Sequence, residues 1–415
     1  MRILYLCHRI PYPPNKGDKI RAFHQICALA SRHEVDVFTL ADDPRDLEHR
    51  DALAAHCQEL TVVRVHPKLA RLRSLPYLFT GTPLTLPCFY SAELQARVRK
   101  ALSQRAYDRI FVYCSAMAQY VQWDDDIPVV TDLVDVDSDK WTQYAAFTRF
   151  PLSAVYRREG RTLARYERRV CENSAAVVVT TEREAELLRR VSSAAKIHVI
   201  PNGVDAEFFT PSTLSSNCNK VEPTIGFTGD MAYFPNQEAV RYFAHHVLPL
   251  IRKSVPGARF LIVGRSPSPE VQALTRIPGI EVTGFVPDIR VQLSRMQVSV
   301  APFSIAAGIQ NKILEAMACE LPVVTTSRAA QGLNPAAAAA VETADTPVEM
   351  AAAIVKLLDQ PELAREKGRN CRRIITQEYN WPQALDCLLQ LLENPAEKEP
   401  QTPASRDLGW KSTCL

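Results

Sequence analysis

The chain has 415 residues, of which 47% are hydrophobic and 23% charged, as in soluble globular proteins. This length favours two domains over a single core. The 49 Lys and Arg residues nearly balance the 46 Asp and Glu residues, and a net charge of +3 excludes nucleic-acid binding driven by overall charge.

The first half of the chain alternates apolar runs with helical patterns. Residues 3–7 predict a buried first strand, and a proline-rich loop then leads to Gly17. Asp18 suits the N-cap of the helix that follows, and we expect Arg21, within that helix, to be solvated. Further strands are predicted at residues 35–40, 61–65, 109–113, 129–132 and 176–180.

This alternation is typical of the α/β class with a doubly wound parallel sheet. No G-x-G-x-x-G motif opens the sheet, so a dinucleotide is not indicated.

Eleven cysteines stand singly, without a C-x-x-C pair. Such scatter favours free thiols over a disulfide framework or a zinc site.

Four carboxylates follow the predicted strand at 129–132, namely Asp132, Asp135, Asp137 and Asp139. A flexible loop could bring these hard oxygen ligands around one cation, but the glycine and glutamate of an EF-hand loop are absent. The residues alone leave both a metal site and a metal-free loop open.

The segment Ile200-Pro201-Asn202-Gly203 predicts a strand end and a sharp turn. We place a boundary here, which gives a first domain of residues 1–201 and a second of residues 202–380. Strands of the second are predicted at 224–229, 260–264, 281–284, 298–302 and 323–326. A last helix is predicted at 381–393, and the polar, proline-containing residues 394–415 predict a disordered tail.

One stretch of the second half, from Gly308 through Lys312 and Glu315, has the features of an anion site. It forms a strand–loop–helix–strand unit at the carboxyl end of a parallel strand, where open sheets bind ligands. Unpaired N–H groups at the helix start suit a phosphate, and Lys312 adds a point charge. Glu315, one turn on, can accept two vicinal hydroxyls. A surface helix with solvated Lys and Glu is the alternative.

The residues Glu315-Ala316-Met317-Ala318, followed by Leu321-Pro322-Val323-Val324, resemble the signature of the retaining glycosyltransferases of family 4. The resemblance is strongest between residues 200 and 326. It implies a GT-B fold, in which two Rossmann-like domains face each other across a cleft. The acceptor is then expected on the first domain and the donor on the second, with the last helix crossing back to the first domain.

The resemblance also implies roles for single residues, since Glu315 matches the glutamate that holds the ribose of a nucleotide-diphosphate sugar. Asp135 lies where the family commonly has a histidine near the reacting sugar, so Asp135 and Lys312 are the predicted catalytic residues, with His8 ranked below them. The predicted donor-binding residues are Gly17, Gly229, Gly264, Arg265, Phe285, Gly308, Ile309, Gln310, Asn311, Lys312 and Glu315. GT-B enzymes work without a bound metal, so the resemblance implies neither a metal nor a cofactor.

Two positions depart from the family pattern. The first glutamate of the family motif, which binds sugar hydroxyls, is replaced by Ala307. The loop from Gly229 to Asn236 lacks the arginine and lysine that clamp the diphosphate, which leaves Lys312 as the main cation. The variant at 307–312 resembles a subgroup associated with the exopolysaccharide loci of exosortase systems.

The implied reaction is transfer of a sugar from a nucleotide-diphosphate donor to a glycan or polyprenyl-linked acceptor, with retention, in exopolysaccharide biosynthesis. Two alternatives stay open. One is a sugar-nucleotide 2-epimerase of the same fold, and the other is a non-catalytic homologue that only binds nucleotide sugars.

Two basic stretches predict contact with an anionic membrane surface. Residues 149–169 hold seven arginines against two glutamates, and residues 66–79 combine basic side chains with Tyr77, Leu78 and Phe79. The apolar run at the N-terminus is too short for a signal peptide, and no apolar run of about 18 residues, as a membrane-spanning helix requires, occurs. We therefore expect a cytoplasmic protein on the inner face of the cytoplasmic membrane, with a solvated basic helix as the alternative.

Overall fold

A computed structural model describes residues 1–123, 126–192, 196–211 and 222–394. These residues form two parallel sheets with helices between their strands. Beyond residue 394, the predicted disordered tail lies outside the described residues, as do residues 212–221 of the loop between the predicted domains.

The first sheet is made of seven parallel strands. They are β1 (Arg2–Cys7), β2 (Glu34–Ala41), β3 (Glu59–Arg64), β4 (Arg109–Tyr113), β5 (Val129–Val134), β6 (Ala176–Val179) and β7 (Ile197–Val199). Their order across the sheet is β3-β2-β1-β4-β5-β6-β7. The accompanying helices are α1 (Gly17–Ala30), α2 (Arg50–Ala54), α3 (Pro67–Ser74), α4 (Thr85–Cys88), α5 (Ala92–Gln104), α6 (Asp137–Ala146), α7 (Leu152–Asn173) and α8 (Glu182–Val191).

The second sheet is made of six parallel strands. They are β8 (Thr224–Thr228), β9 (Arg259–Val263), β10 (Ile280–Val282), β11 (Val298–Ala301), β12 (Val323–Thr325) and β13 (Glu342–Thr343), in the order β10-β9-β8-β11-β12-β13. Its helices are α9 (Phe234–Tyr242), α10 (Leu248–Ser254), α11 (Pro269–Gln272), α12 (Ile289–Leu293), α13 (Asn311–Ala318), α14 (Ser327–Ala330), α15 (Pro335–Ala340), α16 (Pro347–Asp359) and α17 (Pro361–Glu378). A last helix, α18 (Trp381–Glu393), follows them in the chain.

Both faces of the first sheet are covered by apolar cores. Along β1, Leu4 and Leu6 enter one core, while Ile3, Tyr5 and Cys7 enter the core on the opposite face. Successive side chains of a strand point to opposite faces, so a strand buried on both sides reads as a continuous apolar run. This is why the strands could be predicted from composition, and their predicted positions are confirmed.

The last helix, α18, joins the core of the first sheet through Leu388, Leu389 and Leu392. The linker passes close to the start of this helix, because a Cβ atom on Gly203 would lie 2.5 Å from the backbone nitrogen of Trp381. The boundary predicted near residue 202 falls between the last strand of one sheet and the first strand of the other. The division into domains stays a prediction.

Two local features differ from the sequence-based expectation. Asp18 is wrong as an N-cap, since α1 begins at Gly17 and the Asp18 carboxylate instead accepts a hydrogen bond from Arg9 Nη1 at 3.0 Å. Its other oxygen, Oδ1, accepts from the adjacent Lys19 N–H at 3.0 Å, so both carboxylate oxygens are engaged. The edge strand β13 was not predicted, because its two residues are too few for any periodicity.

Replacing Gly226 by alanine should destabilise the second domain. Gly226 lies in β8, and its Cβ atom would sit 2.0 Å from the sulfur of Met296. Overpacking of this kind lowers the free energy of unfolding by about 1–3 kcal/mol. The matched control is Gly257→Ala, since nothing lies within 4 Å of that Cβ position. Denaturant unfolding of both variants measures the difference, and equal stabilities would contradict the packing described here.

Candidate active site

Three loops of the second sheet meet at the carboxyl ends of their strands. Gly229 follows β8, Gly264 follows β9, and Gly308 lies between β11 and α13. The first two loops touch through their backbones, because a Cβ atom on Gly264 would lie 1.6 Å from the carbonyl oxygen of Gly229. Glycine permits this close approach and leaves backbone polar groups accessible to a ligand.

The loop before α13 turns at Gly308, whose φ of 58° glycine adopts without strain. Among the described residues, no side chain caps the first N–H groups of α13. Gln310, at the cap position, instead donates from Nε2 to the carbonyl oxygen of Ala307 at 3.0 Å, and Ile309 packs against the core. The Ile313 N–H donates to the Gln310 carbonyl oxygen at 2.8 Å, so the helix start presents the N–H groups of Asn311 and Lys312 and the positive end of its dipole.

Lys312 is half-buried directly behind this helix start. Its Nζ donates to Asn236 Oδ1 at 2.6 Å and lies 4.6 Å and 5.1 Å from the ring centroids of Phe303 and Phe227. Burial lowers the pKa of Lys312 to about 7, and the charge of Glu315 opposes that shift. The lysine is thus held by one neutral hydrogen-bond partner and two aromatic faces.

Glu315 lies one helical turn beyond Lys312. Burial raises the pKa of this carboxyl to about 7, while Lys312 acts in the opposite direction. Both side chains are therefore close to half-titrated at neutral pH. An anion beside Lys312 favours its charged form, and hydroxyls that donate to Glu315 favour the carboxylate. A ligand with both kinds of group restores both charges.

Asp135 faces this rim from the first sheet. Val134, the last residue of β5, has a φ of 65°, which is unusual for a β-branched residue and turns the chain sharply before Asp135. A Cβ atom on Gly308 would lie 1.8 Å from Asp135 Oδ1, so the carboxylate packs against the Gly308 backbone. Burial, with a contribution from Glu184, raises the pKa of Asp135 to about 7.

Glu184 connects the two sheets and was not predicted as a site residue. It lies in α8, and its side chain is fully buried. Its Oε2 accepts from the Val136 N–H at 2.6 Å, and its Oε1 accepts from the Gly308 N–H at 3.3 Å. The sequence signal near it, Thr181 three residues earlier, indicates a capped helix start and not a contact with a distant loop.

The expectation that Arg21 is solvated is wrong, because its side chain is 1% exposed. Its Nε donates to Asp132 Oδ2 at 2.7 Å, and its Nη1 donates to Asn202 Oδ1 at 2.9 Å. Gln25 Nε2 donates to the same Asp132 oxygen at 2.5 Å. A buried charge needs a charged partner, and this partner is 111 residues away in sequence, so no local pattern reveals it.

The remaining predicted donor-binding residues lie around the same cleft. A Cβ atom on Gly17 would lie 3.5 Å from Asn311 Nδ2, which places the start of α1 beside the start of α13. Arg265 Nε donates to Asp230 Oδ2 at 3.0 Å. The side chain of Phe285 is 72% exposed, and base recognition through its backbone stays a prediction.

His8, the lower-ranked catalytic candidate, ends β1. Its Nε2 lies 3.5 Å from Asp18 Oδ2, and its ring stacks on Tyr113 with the centroids 6.0 Å apart. These contacts fix the ring in the first domain and do not bring it to Gly308 or Lys312.

The four carboxylates at the end of β5 and in the loop and helix after it do not converge. They contact separate partners: Asp132 with Arg21, Asp135 with the Gly308 backbone, Asp137 with Lys140, and Asp139 with Arg183. Within the described ranges, no group of three or more His, Cys, Asp or Glu side chains could hold a metal ion. The metal interpretation of this loop therefore has no geometric support there.

Two family models match the chain, one to each half. The model for a glycosyl transferase 4-like domain matches residues 19–203, and the model for glycosyl transferases group 1 matches residues 222–360. Together they cover the second sheet, every strand of the first sheet except β1, and the loops at Gly229, Gly264 and Gly308. The chain belongs to the GT-B glycosyltransferases. A comparison with curated protein sequences gives no significant match.

Solved structures share the fold of this glycosyltransferase over nearly its whole length. Sucrose-phosphate synthase from Thermosynechococcus elongatus is 20% identical, with a TM-score of 0.71 over 95% of this chain and 98% of the other. HepE of Anabaena, solved with UDP, is 17% identical, with a TM-score of 0.68 over 95% and 100%. TarM of S. aureus is 11% identical, with a TM-score of 0.64 over 94% and 99%.

Binding of a nucleoside diphosphate to the glycosyltransferase should be strongest near pH 7. Above that pH, Lys312 loses its proton and its attraction for the diphosphate. Below it, Glu315 gains a proton and becomes a weaker acceptor. Affinity should fall by up to ~10-fold per pH unit on each side. Calorimetric titration from pH 5.5 to 8.5 with a panel of nucleoside diphosphates measures this.

Lys312→Arg should remove the alkaline decline in this profile, because a guanidinium stays charged throughout the range. Glu315→Gln should remove the acid decline while weakening binding overall. A wild-type affinity that does not vary with pH would rule out titration of this pair.

Proposed function

We propose that the enzyme transfers a sugar from a nucleotide-diphosphate donor to a glycan or lipid-linked acceptor, with retention of the anomeric configuration. The observation that carries this proposal is the uncapped start of α13, with Lys312 and Glu315 behind it and Asp135 facing it from the other sheet. HepE, a protein of the same fold, has been solved with UDP and with UDP-glucose, which supports a nucleotide-sugar donor for this chain.

In this proposal each group at the start of α13 has one task. The helix N–H groups and Lys312 receive the diphosphate, whose negative charge grows as the bond to the sugar breaks. Glu315 accepts hydrogen bonds from the two ribose hydroxyls. The loops at Gly229, Gly264 and Phe285 supply backbone contacts to the rest of the nucleotide.

Asp135 is placed to act on the sugar itself. The bond from the anomeric carbon to the diphosphate oxygen breaks, and the acceptor oxygen attacks on the same face. The acceptor proton passes to the leaving diphosphate. The anionic form of Asp135, next to Gly308, stabilises the positive charge that develops on the sugar ring. Burial and Glu184 raise the pKa of Asp135, and a positive charge on the sugar favours the anionic form.

A 2-epimerase remains the second candidate, and a specific observation favours it. Asp135 and Glu184 are neighbouring buried carboxyls, and burial raises the pKa of both. Carboxyls of this kind suit proton transfer in a reaction that needs no acceptor. Both Glu184 oxygens, however, already accept hydrogen bonds from backbone N–H groups. Asp135 is therefore the carboxyl of this pair that can exchange a proton with a substrate. This argues for transfer over epimerisation.

Incubation with UDP-, GDP- and ADP-sugars, with and without a polyprenyl-diphosphate glycan, separates the candidates. Transfer predicts nucleotide release that depends on the acceptor, and Glu315→Ala should weaken donor binding by roughly 1.5–3 kcal/mol for each lost hydrogen bond. EDTA should leave the activity unchanged. Interconversion of the sugar without acceptor would mean epimerisation, and binding without turnover would mean a non-catalytic protein. Product NMR reads the anomeric configuration.

The setting that we propose is exopolysaccharide synthesis at the cytoplasmic face of a membrane. The Ala-Gly-Ile-Gln-Asn-Lys variant at 307–312 supports the pathway, and a surface of the first domain supports the location. None of the helices in the described ranges has the length and apolar composition that crossing a bilayer requires. Attachment would therefore depend on surface contacts.

The proposed membrane surface combines the segment 66–82 with the first half of α7. Arg158, in α7, donates to the backbone carbonyls of Leu78 at 3.1 Å and Thr82 at 2.8 Å, which ties the segment to the helix. Phe79 is 93% and Phe150 84% exposed. Six exposed arginines lie in the same parts of the chain, within residues 66–82 and 149–165, at positions 71, 73, 149, 157, 161 and 165. Exposed aromatics among arginines suit an anionic headgroup layer.

Co-sedimentation with acidic liposomes should therefore retain the protein, and added salt should release it, since each basic residue contributes about 1 kcal/mol to this binding. Phe79→Ser combined with Arg157→Gln and Arg161→Gln should abolish retention. The matched control is Arg365→Gln with Arg369→Gln, which removes two positive charges from exposed positions of α17. Equal recovery with neutral and acidic lipid would refute the membrane surface.

A further inference from the structure

The side chain of Asn202 bridges the two halves of the molecule. It lies in the linker and is almost fully buried. Its Oδ1 accepts from Arg21 Nη1 at 2.9 Å, and its Nδ2 donates to Asn311 Oδ1 at 2.9 Å. Arg21 belongs to α1 of the first sheet, and Asn311 is the first residue of α13. One linker residue therefore connects the first sheet to the start of the proposed donor helix.

The orientation of the Asn202 amide is fixed by chemistry. Arginine can only donate hydrogen bonds, so the atom of Asn202 that faces it must be the oxygen, and the NH₂ group must face Asn311. Arg21 itself cannot turn away, because Asp132 holds its Nε at 2.7 Å and Gln25 holds the same carboxylate oxygen. In this relay, which we define as the hydrogen bonds from Arg21 to Asn202 and from Asn202 to Asn311, the donors and acceptors are therefore fixed. Arg21, at its start, is held in place by Asp132.

The Asn311 side chain is used by this relay and is not free for a ligand. Its oxygen accepts from Asn202, and its Nδ2 lies beside Gly17 at the start of α1. The first residue of α13 is thus held between the linker and the first domain. A change in the angle between the two domains would pull these groups apart.

We infer that Asn202 and Asn311 form a latch that holds the start of α13 against the first domain, and that both are positioning residues for donor binding. This inference rests on the proposed function for its ligand, a nucleotide-diphosphate sugar. Opening the latch moves Gly308 away from Asp135 and Glu184. A ligand that reaches both domains then loses affinity, whereas a nucleoside monophosphate bound at Glu315 and the second-domain loops does not.

The test compares Asn202→Ala, Asn311→Ala and the double variant. Each should weaken binding of the nucleotide sugar by about threefold to tenfold, with no change for the nucleoside monophosphate. The double variant should be no weaker than Asn202→Ala, because that single variant already removes the bond between Asn202 and Asn311. The control is Arg328→Ala, which removes another contact between the halves, from Arg328 Nη1 to Gln143 Oε1 at 3.3 Å. It should bind donor as the wild type does.

Small-angle scattering of the ligand-free variants provides a readout that does not depend on the donor. Loss of the latch should increase the radius of gyration in Asn202→Ala and in Asn311→Ala, and not in the control. If no nucleotide sugar binds the wild type, the proposed function fails while the scattering still decides the latch. Unchanged scattering, additive losses in the double variant, or an equal loss of monophosphate affinity would each overturn it. Should Asn202→Ala fail to fold, Asn311→Ala carries the same comparison from the other side of the bond.

Discussion

The cleft depends on the absence of a side chain at Gly308. Any Cβ atom there would lie 1.8 Å from the Asp135 carboxylate, so alanine would displace that side chain from the Gly308 backbone. The same residue gives its N–H to Glu184, which is fully buried and takes a second N–H from Val136. A buried carboxyl is costly unless it is hydrogen-bonded. Arg183 Nη1 also donates to Glu184 Oε1, at 2.9 Å, so the Gly308 N–H is an additional donor, from the other sheet, to a carboxylate that the first domain already pairs.

Burial shifts the pKa values of three titratable groups in this cleft. Burial raises the pKa of Asp135 and of Glu315 to about 7 and lowers the pKa of Lys312 to about 7. In each case the low-dielectric surroundings disfavour the charge when no ligand is present. Three groups shifted toward the same pH in one cleft are typical of a functional site, where a bound ligand supplies the missing counter-charges.

The sequence could predict what is local and not what is distant. The strands follow from continuous apolar runs, and Lys312 and Glu315 follow from their spacing on one helix. Arg21 and Glu184 could not be found this way, because their decisive partners lie 111 and 124 residues away. The turn at Val134 was missed for a different reason. A positive φ at a β-branched residue contradicts its local preference and is sustained by the surrounding structure.

Both departures from the family pattern remove charged side chains from the donor site of the second domain. Ala307 removes a carboxylate from the rim of the second domain, yet the adjacent Gly308 is contacted by two carboxylates of the first domain, Asp135 and Glu184. The loop at Gly229 brings no free cation either, since Arg265 beside it is paired with Asp230. On the proposed function, the second domain alone therefore holds only part of the donor site. Recognition of the sugar then requires both domains in contact, and the angle between them becomes a determinant of affinity.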